Sequence, residues 1–397
     1  MHPFPIRPRT VRRLLVLLMG PLFAFNAAAQ DQASPIPPQD GRWSHERAAD
    51  WYAEQAWMVG ANFVPSTAVN MIEMWQESTF DPETIDRELG WAAEAGFNTM
   101  RVYLHYLVWA RSPEGYKERI DRYLEIADRH GIKTMFVLND DVWGDNPTLG
   151  EQPRPVPGIH NSGWVESPGH DQRLDRALWP VFEAYTKDIV STYAEDERVV
   201  MWDLYNEPGN GKNPPSSTLP LLKEIVRWAR SAEPSQPLTV GLWNWSDDYR
   251  ELNEYQIAVS DVVTFHTYNP PETTKEIVAD LRAAAGDRPL VCTEYMARTR
   301  DNTFQNHLPY FYEENIGAIN WGLVSGKTQT IYPWEYPKGS SDAFFAQWRE
   351  RVRTVYPYQD HLTAPEPEVW FHDVFRRDGT PYDPEEIALI QKLTGRE

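Results

Sequence analysis

The sequence has little or none of several features that mark particular classes of protein. It contains one cysteine, Cys292, in 397 residues, so neither an internal disulfide nor a cysteine-based metal cluster can form. Basic residues are outnumbered by acidic ones, 38 against 58, and the net charge of −20 argues against nucleic acid and anionic membrane as partners. Beyond the N-terminal segment, no apolar run approaches the length of a membrane-spanning helix. A neutral ligand is compatible with all of these absences.

The N-terminal segment has the pattern of a secretory signal. Four arginines precede the apolar run 14–25, and three alanines at 27–29 follow it as a cleavage site. Gly20 and Pro21 interrupt the run, which is also too short for a spanning helix. We therefore predict cleavage after Ala29 and a secreted or periplasmic protein, with an uncleaved membrane anchor as the alternative. Residues 30–44, which are rich in proline, are interpreted as a linker.

From residue 45 onward, apolar segments of strand length alternate with amphipathic segments of helical length. Strand candidates cover 58–64, 99–104, 133–138, 199–205, 238–242, 262–266, 290–293 and 317–322. Helix candidates follow at 83–95, around 120–127, and at 175–193, 219–230, 249–259, 272–285, 303–314 and 343–355. The first of these helices has Asp81 as a cap and Pro82 in its first turn, and Gly96 ends it.

Eight strand–helix units over about 300 residues predict a parallel α/β fold, closed into a (β/α)8 TIM barrel. A doubly wound sheet is disfavoured because no Gly-x-Gly-x-x-Gly follows the first strand. The barrel is predicted to span residues 45–356. Residues 357–397, where the alternation ends, are interpreted as a C-terminal extension that packs aromatic side chains on the barrel, with a short helix near 384–393.

Two of the predicted strands lead directly into a glutamate. The strand 199–205 continues into Asn206, Glu207 and Pro208, and the strand 290–293 continues into Glu294. In a barrel the carboxyl ends of the strands form the rim that carries the active site, so these two acids should face each other. Two facing carboxylates are what the cleavage of a glycosidic bond requires. Glu207 and Glu294 are therefore the predicted catalytic residues.

Other strand ends carry polar and aromatic side chains: Arg101, Trp243, His266, Tyr268 and Trp321. In this order, together with the Asn206-Glu207 pair and Glu294, the segment from Trp57 to Val355 resembles the glycoside hydrolases of clan A, and most closely the cellulase-like members of family five. The resemblance implies a retaining mechanism, with Glu207 as acid/base and Glu294 as nucleophile. The pKa of Glu207 is expected to be raised by burial and by repulsion from Glu294, which must stay ionised.

Each predicted substrate-binding residue has a role and an alternative. Arg101 is the cation expected to keep Glu294 charged, although it could instead neutralise a structural acid. Asn206 is expected to bind a sugar hydroxyl, but it could cap the following turn. His266 could be a core histidine. Tyr268 is expected to donate its hydroxyl to Glu294. Trp243 and Trp321 are expected to stack on sugar, although a tryptophan on a strand is commonly part of the core.

A long segment rich in glycine and proline, 139–172, follows the third strand and is interpreted as a functional loop. It begins with Asn139, Asp140 and Asp141, where many family five enzymes have a histidine. These aspartates alternate faces and lack neighbouring oxygen ligands, so we predict neither a metal nor a cofactor. Some of the loop tryptophans are expected to stack on sugar: Trp143, Trp164, Trp243, Trp245 and Trp334.

The sequence thus predicts a secreted, monomeric, retaining glycoside hydrolase that cleaves the β-linkages of a polysaccharide or oligosaccharide. Carbohydrate is its expected partner, and neither nucleic acid nor, after cleavage of the signal, membrane is expected. An exo-acting glycosidase or transglycosylase acting on terminal sugars is the first alternative. An inactive carbohydrate-binding barrel is the second, against which the presence of both glutamates argues. The barrel fold by itself distinguishes none of these functions.

Overall fold

The computed structural model describes residues 36, 38–142, 144, 146–211, 214–334 and 365–396. The strands in these ranges are β1 (Val59–Asn62), β2 (Thr99–Tyr103), β3 (Lys133–Val137), β4 (Val199–Asp203), β5 (Leu238–Thr239), β6 (Val263–His266), β7 (Leu290–Glu294) and β8 (Gly317–Asn320). The α-helices are α1 (His45–Ala53), α2 (Met71–Trp75), α3 (Pro82–Ala95), α4 (Tyr106–Arg111), α5 (Pro113–Arg129), α6 (Trp179–Thr192), α7 (Leu219–Arg230), α8 (Arg250–Val259), α9 (Pro271–Ala285), α10 (Phe304–Glu313) and α11 (Pro384–Thr394).

The eight strands form one parallel sheet that curls into a barrel. Their order is β5-β4-β3-β2-β1-β8-β7-β6, and every strand pair in it is parallel. The two end strands meet through Leu242, which lies just beyond β5 and forms a parallel bridge with Phe265 of β6. Leu242 donates its backbone N–H to Thr264 at 3.0 Å and accepts that of His266 at 2.8 Å. The predicted TIM barrel is therefore confirmed.

Local sequence signals account for the element ends. At α3, the Asp81 side chain accepts the backbone N–H of Thr84, and Gly96 ends the helix in the left-handed conformation with φ 99°. Apart from Lys133 at the start of β3, the strand residues are buried, because helices cover the outer faces of the strands and packed side chains fill the barrel interior. Among these helices, α6 begins at Trp179 rather than at the predicted residue 175, because Pro180 favours the first helical turn.

Three helices were not predicted from the sequence, namely α1, α2 and α4. Of these, α1 packs Tyr52 among the side chains at the amino ends of the strands, and the Tyr52 hydroxyl donates to the Asn315 carbonyl at 3.1 Å. It thereby covers the end of the barrel opposite the predicted site. The predicted signal segment 1–29 and the predicted helix 343–355 lie outside the described residues. None of the helices in the described ranges is both long and apolar enough to span a membrane.

The C-terminal arm, residues 365–396, packs along the barrel. Phe375 forms a parallel bridge with Val324, which lies beyond β8. Arg298 binds the Glu386 carboxylate through both Nε and Nη2, at 2.8 Å and 2.6 Å. On the same arm, Gln391 of α11 donates to the Glu94 carbonyl at 3.0 Å. The arm therefore contacts helix α3 and the loops after β7 and β8, and these contacts bring residues 371–373 to the carboxyl rim.

Candidate active site

The carboxyl ends of the strands surround a cavity of about 360 Å³. Seven of the eight residues that the sequence predicts for the site line it: Asn206, Glu207, Trp243, His266, Tyr268, Glu294 and Trp321. The eighth, Arg101, lies below the cavity. These residues come from the ends of β4 to β8, so the barrel brings together side chains that are up to about a hundred residues apart in sequence.

Glu207 and Glu294 face each other across this cavity. One carboxylate oxygen of each, together with a ring nitrogen of His266, lies within 4.8 Å of the others. The Nδ1 atom of His266 is 2.7 Å from Glu207 Oε1 and 3.5 Å from Glu294 Oε2. Carboxyl groups about 5–5.5 Å apart are typical of retaining glycosidases, and inverting enzymes separate them by about 6.5–9.5 Å. The limit of 4.8 Å, which applies to one oxygen of each carboxylate, lies nearer the shorter separation.

The Glu294 carboxylate accepts three hydrogen bonds that favour its ionised form. Arg101 Nη1 donates to Oε1 at 3.0 Å, the Tyr103 hydroxyl donates to the same oxygen at 3.1 Å, and the Tyr268 hydroxyl donates to Oε2 at 2.8 Å. Burial raises the pKa of Glu294, and the charge of Glu207 adds to the rise. His266, Arg101 and the hydrogen bond from Tyr268 oppose this rise in the pKa.

Arg101 is fully buried, and its guanidinium donates hydrogen bonds to neighbouring protein side chains. It binds Asp203 Oδ2 through Nε and Nη2, at 3.1 Å and 2.7 Å, and also donates to Asn62 and Asn206. The sequence predicts it as a substrate-binding residue, but the structure places it beneath the cavity and behind Glu294. Both readings of Arg101 from the sequence describe part of this arrangement, since it pairs with the structural acid Asp203 and with Glu294.

Glu207 has a different environment. Burial raises its pKa to about 7, although Asn210 donates to Oε2 and lowers it somewhat. The repulsion from Glu294 that the sequence predicts contributes to the rise at Glu294 rather than here. Burial lowers the pKa of His266 to about 4, so its imidazole is neutral near pH 7. A neutral imidazole at 2.7 Å can accept a hydrogen bond from protonated Glu207 or donate one to ionised Glu207.

The backbone at Glu207 is left-handed, with φ 44°, which costs a non-glycine residue about 1–3 kcal/mol. Contacts on both sides hold it there. Asn206 donates its side-chain amide to Asp140 Oδ1 at 2.8 Å, and the backbone N–H of Gly209 donates to Asp141 Oδ2 at 2.7 Å. Asp141 also pairs with Arg173. Asp140 and Asp141 therefore position the segment carrying Glu207.

Some of the predicted sugar-stacking tryptophans line the cavity, and others do not. Trp243, Trp321 and Trp334 are half-buried and line the cavity. Trp164 is buried, donates its indole N–H to Asp140 Oδ2 at 2.7 Å and packs edge-on against Trp321 at a centroid distance of 5.7 Å. It therefore packs behind Trp321 and does not line this cavity. Trp245 is half-buried but does not line the cavity, and Trp143 lies outside the described residues.

Several site residues were missed by reasoning from the sequence. Tyr103 lies two positions after Arg101 on one strand, and the two-residue period of a strand places both side chains on one face. Asp203 is a charged residue at the end of an otherwise apolar strand, and this position could have identified it from the sequence as a site residue. His160, Asn161 and His372 line the cavity from a loop and from the C-terminal arm, and nothing in their local sequence indicates it.

One group of side chains in the described part of the chain has the geometry to ligate a metal ion, namely Glu207, His266 and Glu294. The guanidinium of Arg101, 3.0 Å from Glu294, already supplies a positive charge there. A dication would have to bind beside that charge and displace the His266–Glu207 hydrogen bond. The donors around the pair suit proton transfer and nucleophilic attack by carboxylates better than metal chemistry.

Comparisons with known proteins agree with this geometry. A family model described as cellulase (glycosyl hydrolase family 5) matches residues 63–329. The probable mannan endo-1,4-beta-mannosidase A-2 of Aspergillus terreus is 25% identical over 172 residues, which cover 39% of this chain and only 40% of that protein. Mannan endo-1,4-beta-mannosidase 8 of Oryza sativa subsp. japonica is 21% identical over 295 residues, covering 59% of this chain and 77% of that protein.

A solved structure shares the fold. The exo-beta-1,4-mannosidase from Opitutaceae bacterium strain TAV5 superposes with a TM-score of 0.56 at 16% identity, covering 86% of this chain and 60% of that chain. At this level of identity the likeness concerns the barrel architecture and does not extend to the substrate.

Proposed function

This chain belongs to glycosyl hydrolase family 5, and from that premise we propose that it is a glycoside hydrolase that cleaves the β-1,4-mannosidic bonds of a polysaccharide or oligosaccharide with retention of configuration. Support for the linkage comes from the two relatives that are named mannan endo-1,4-beta-mannosidases. Support for the mechanism comes from the cavity. The observation that carries it is a carboxylate pair within 4.8 Å whose members have unequal hydrogen-bond donors.

In the first step of the proposed mechanism, the ionised Glu294 attacks the anomeric carbon, and protonated Glu207 gives its proton to the departing glycosidic oxygen. The bond to the leaving sugar breaks as the bond to Glu294 forms, which produces a glycosyl ester. In the second step Glu207 takes a proton from water, which displaces Glu294 and releases the sugar with its original configuration. Arg101, Tyr103 and Tyr268 support the charge on Glu294 whenever the ester is absent.

The unequal environments suit these unequal roles. The acid must hold a proton near neutrality, and burial raises the pKa of Glu207 to about 7. The nucleophile must be charged, and Glu294 accepts three hydrogen bonds, one of them from a guanidinium. Half-buried Trp243 and Trp321 line the cavity and offer flat surfaces for the apolar faces of sugar rings.

The test replaces Glu294 with alanine and offers aryl β-mannosides, with aryl β-glucosides and β-xylosides as comparison substrates. Glu294→Ala should lose turnover while remaining folded, and azide should restore release of a glycosyl azide of inverted configuration. Glu207→Ala should lose about 10²–10⁴-fold on substrates with poor leaving groups and much less on activated aryl glycosides. Wild-type turnover by Glu294→Ala, or equal losses on both classes of substrate by Glu207→Ala, would refute the assignments. Preference for another sugar would refute the mannoside.

Export is part of the same proposal. Its support is the basic, apolar and alanine-rich order of residues 7–29, which precede the described barrel. The mature protein is proposed to begin at Gln30 and to reach the periplasm or the medium. N-terminal sequencing of the protein from each cell fraction tests this, and material that retains Met1 in the membrane fraction would overturn it.

A further inference from the structure

The cavity has a wall that does not come from the strand ends. Four residues from three distant segments form it: His160 and Asn161 after β3, Trp334 after β8, and His372 of the C-terminal arm. We propose that this glycone wall closes the cleft behind Glu294 and binds the terminal sugar, so that the enzyme removes single sugars from the non-reducing ends of chains. The inference rests on the function proposed above and names its substrate class as chain ends.

The three segments are bonded into one unit. The backbone N–H of Asn161 donates to the Thr328 carbonyl at 2.8 Å, and His160 Nδ1 lies 2.9 Å from the Tyr332 carbonyl. Phe371 donates its backbone N–H to the Ile331 carbonyl at 2.8 Å, which ties the arm to the same loop. Such cross-bonds between backbone segments make the wall part of the folded barrel.

The side chain of Gln329 adds two further hydrogen bonds between these segments. Its amide nitrogen donates to the Val156 carbonyl at 2.6 Å, and its amide oxygen accepts the backbone N–H of Gly158 at 2.8 Å. Gln329 itself is buried. The loop 325–330 thus anchors the long loop 139–172 over the rim.

The wall lies on the Glu294 side of the cavity. Tyr268, which donates to Glu294, packs against Trp334 at a centroid distance of 5.1 Å and against His372 at 5.4 Å. Behind these rings Phe371 packs on Trp334 at 5.1 Å. Trp243 lies on the other side, donating its indole N–H to the carbonyl of Pro208, the residue after Glu207.

This position decides which part of a substrate the wall meets. In a retaining enzyme the nucleophile binds the sugar that is transferred, the glycone, and the acid faces the leaving group. A wall behind the nucleophile leaves no path for further sugars attached to the glycone. A wall behind the acid would have the opposite effect and would limit the leaving group.

The wall also offers polar atoms that have no partner among the described residues. His372 is fully buried and uses Nδ1 on the Met296 carbonyl, which makes Nδ1 the protonated nitrogen and leaves Nε2 as an unused acceptor. Asn161 Oδ1 is a second unused acceptor, also buried. Buried polar atoms are normally hydrogen-bonded, and sugar hydroxyls are donors of the right kind. Both residues line the cavity, so the hydroxyls of a terminal sugar are the proposed partners.

The first experiment follows the products of β-1,4-manno-oligosaccharides that carry a fluorophore at the reducing end. The full chain should release free mannose and a labelled product one sugar shorter, and it should lower the viscosity of mannan slowly. The same oligosaccharides with a blocked hydroxyl on the non-reducing terminal sugar should resist cleavage. Early labelled products of every length, or cleavage of the blocked chains, would overturn the inference. Aryl β-glycosides are measured in parallel to distinguish failure of this inference from failure of the proposed function. A protein that hydrolyses none of them would refute the proposed function.

The second experiment changes the wall. His372→Ala should raise KM for aryl β-mannoside about tenfold with kcat changed much less, as expected for one lost hydrogen bond to bound sugar. It should also allow some cleavage of the blocked chains. Asn161→Ala serves as an independent variant in case His372→Ala fails to fold. His45→Ala, in α1 at the opposite end of the barrel, is the matched control and should change neither value. Unchanged KM and unchanged resistance of the blocked chains in both folded wall variants would refute the role of the wall.

Discussion

Glu294 and the residues beneath it lie on strands, whereas the glycone wall lies on loops and on the C-terminal arm. The floor of the cavity, which we define as Asn62, Arg101, Tyr103, Asp203 and Glu294, belongs to β1, β2, β4 and β7. Arg101 bonds to all of the other four. The barrel thus fixes the floor directly, and the wall depends on contacts between loops that the barrel does not dictate.

This difference teaches how chemistry and substrate choice are divided in the molecule. The floor holds charges in a buried network, where removing one member leaves another charge unpaired and costs several kcal/mol. The wall holds neutral polar atoms and aromatic rings, where removing one member costs a hydrogen bond or a contact. We therefore expect floor variants to change kcat and folding stability, and wall variants to change KM and product pattern.

The largest expected effect breaks the floor. Arg101→Met removes the cation shared by Asp203 and Glu294, both buried, and should lower the free energy of unfolding by about 3–5 kcal/mol. It should also lower kcat by about 100-fold or more, because Glu294 loses a charge-assisted hydrogen bond. Urea unfolding and turnover of aryl glycosides measure the two effects.

The control for this variant is Arg198→Met, which removes a partly exposed ion pair with Asp196. A surface pair contributes about 0–1 kcal/mol, so this variant should unfold close to the wild type. Equal destabilisation by the two substitutions would show that the floor is an ordinary set of ion pairs and not a buried network.

A smaller effect should come from pH acting at Glu207. Burial raises its pKa in the folded protein to about 7, above the ordinary value of 4.5. The protonated form therefore contributes stability that is complete below pH 4.5 and is lost as the pH rises through about 7. At 1.36 kcal/mol per pKa unit, the loss is about 3 kcal/mol. The turnover of the wild type should fall as the pH rises through about 7, because Glu207 in the folded protein then loses its proton.

Glu207→Gln cannot ionise, so its free energy of unfolding should lack this decline. Urea unfolding across the range, for the variant and the wild type, gives the difference directly. Glu254→Gln, on the exposed face of α8, is the control and should keep the decline of the wild type. Parallel curves for the wild type and Glu207→Gln would show that Glu207 ionises in the folded protein as readily as in the unfolded chain.

The same division explains what could be predicted from the sequence. Eight strand–helix units, the cap at Asp81 and the glutamates at the ends of β4 and β7 are local signals, and the barrel converts them into a site without further information. Tyr103 and Asp203 could have been added from the period of the strand and from a charge in an apolar run. The floor is therefore largely readable from sequence.

The wall is not readable in this way. His372 follows Glu294 by a long stretch of chain, and it reaches the cavity only because Phe371 and Thr330 bond the arm to the loop after β8. The buried position of Trp164 likewise depends on the hydrogen bond from its indole to Asp140. The hydrophobic periodicity of the sequence does not predict this bond. Contacts between loops are set by tertiary packing, and a single sequence carries no local record of them.

The last and smallest effect sharpens the comparison at Tyr268, which touches both regions. Its hydroxyl donates to Glu294, and its ring packs on Trp334 and His372. Tyr268→Phe removes the first contact and keeps the second, so kcat should fall about 10–100-fold while the release of single sugars continues. His372→Ala should change kcat much less but should allow some cleavage of the blocked chains. If the two regions act independently, their effects on kcat/KM should add in the double variant. A change of product pattern in Tyr268→Phe would show that floor and wall form one coupled unit, since the ring that supports the wall is still present.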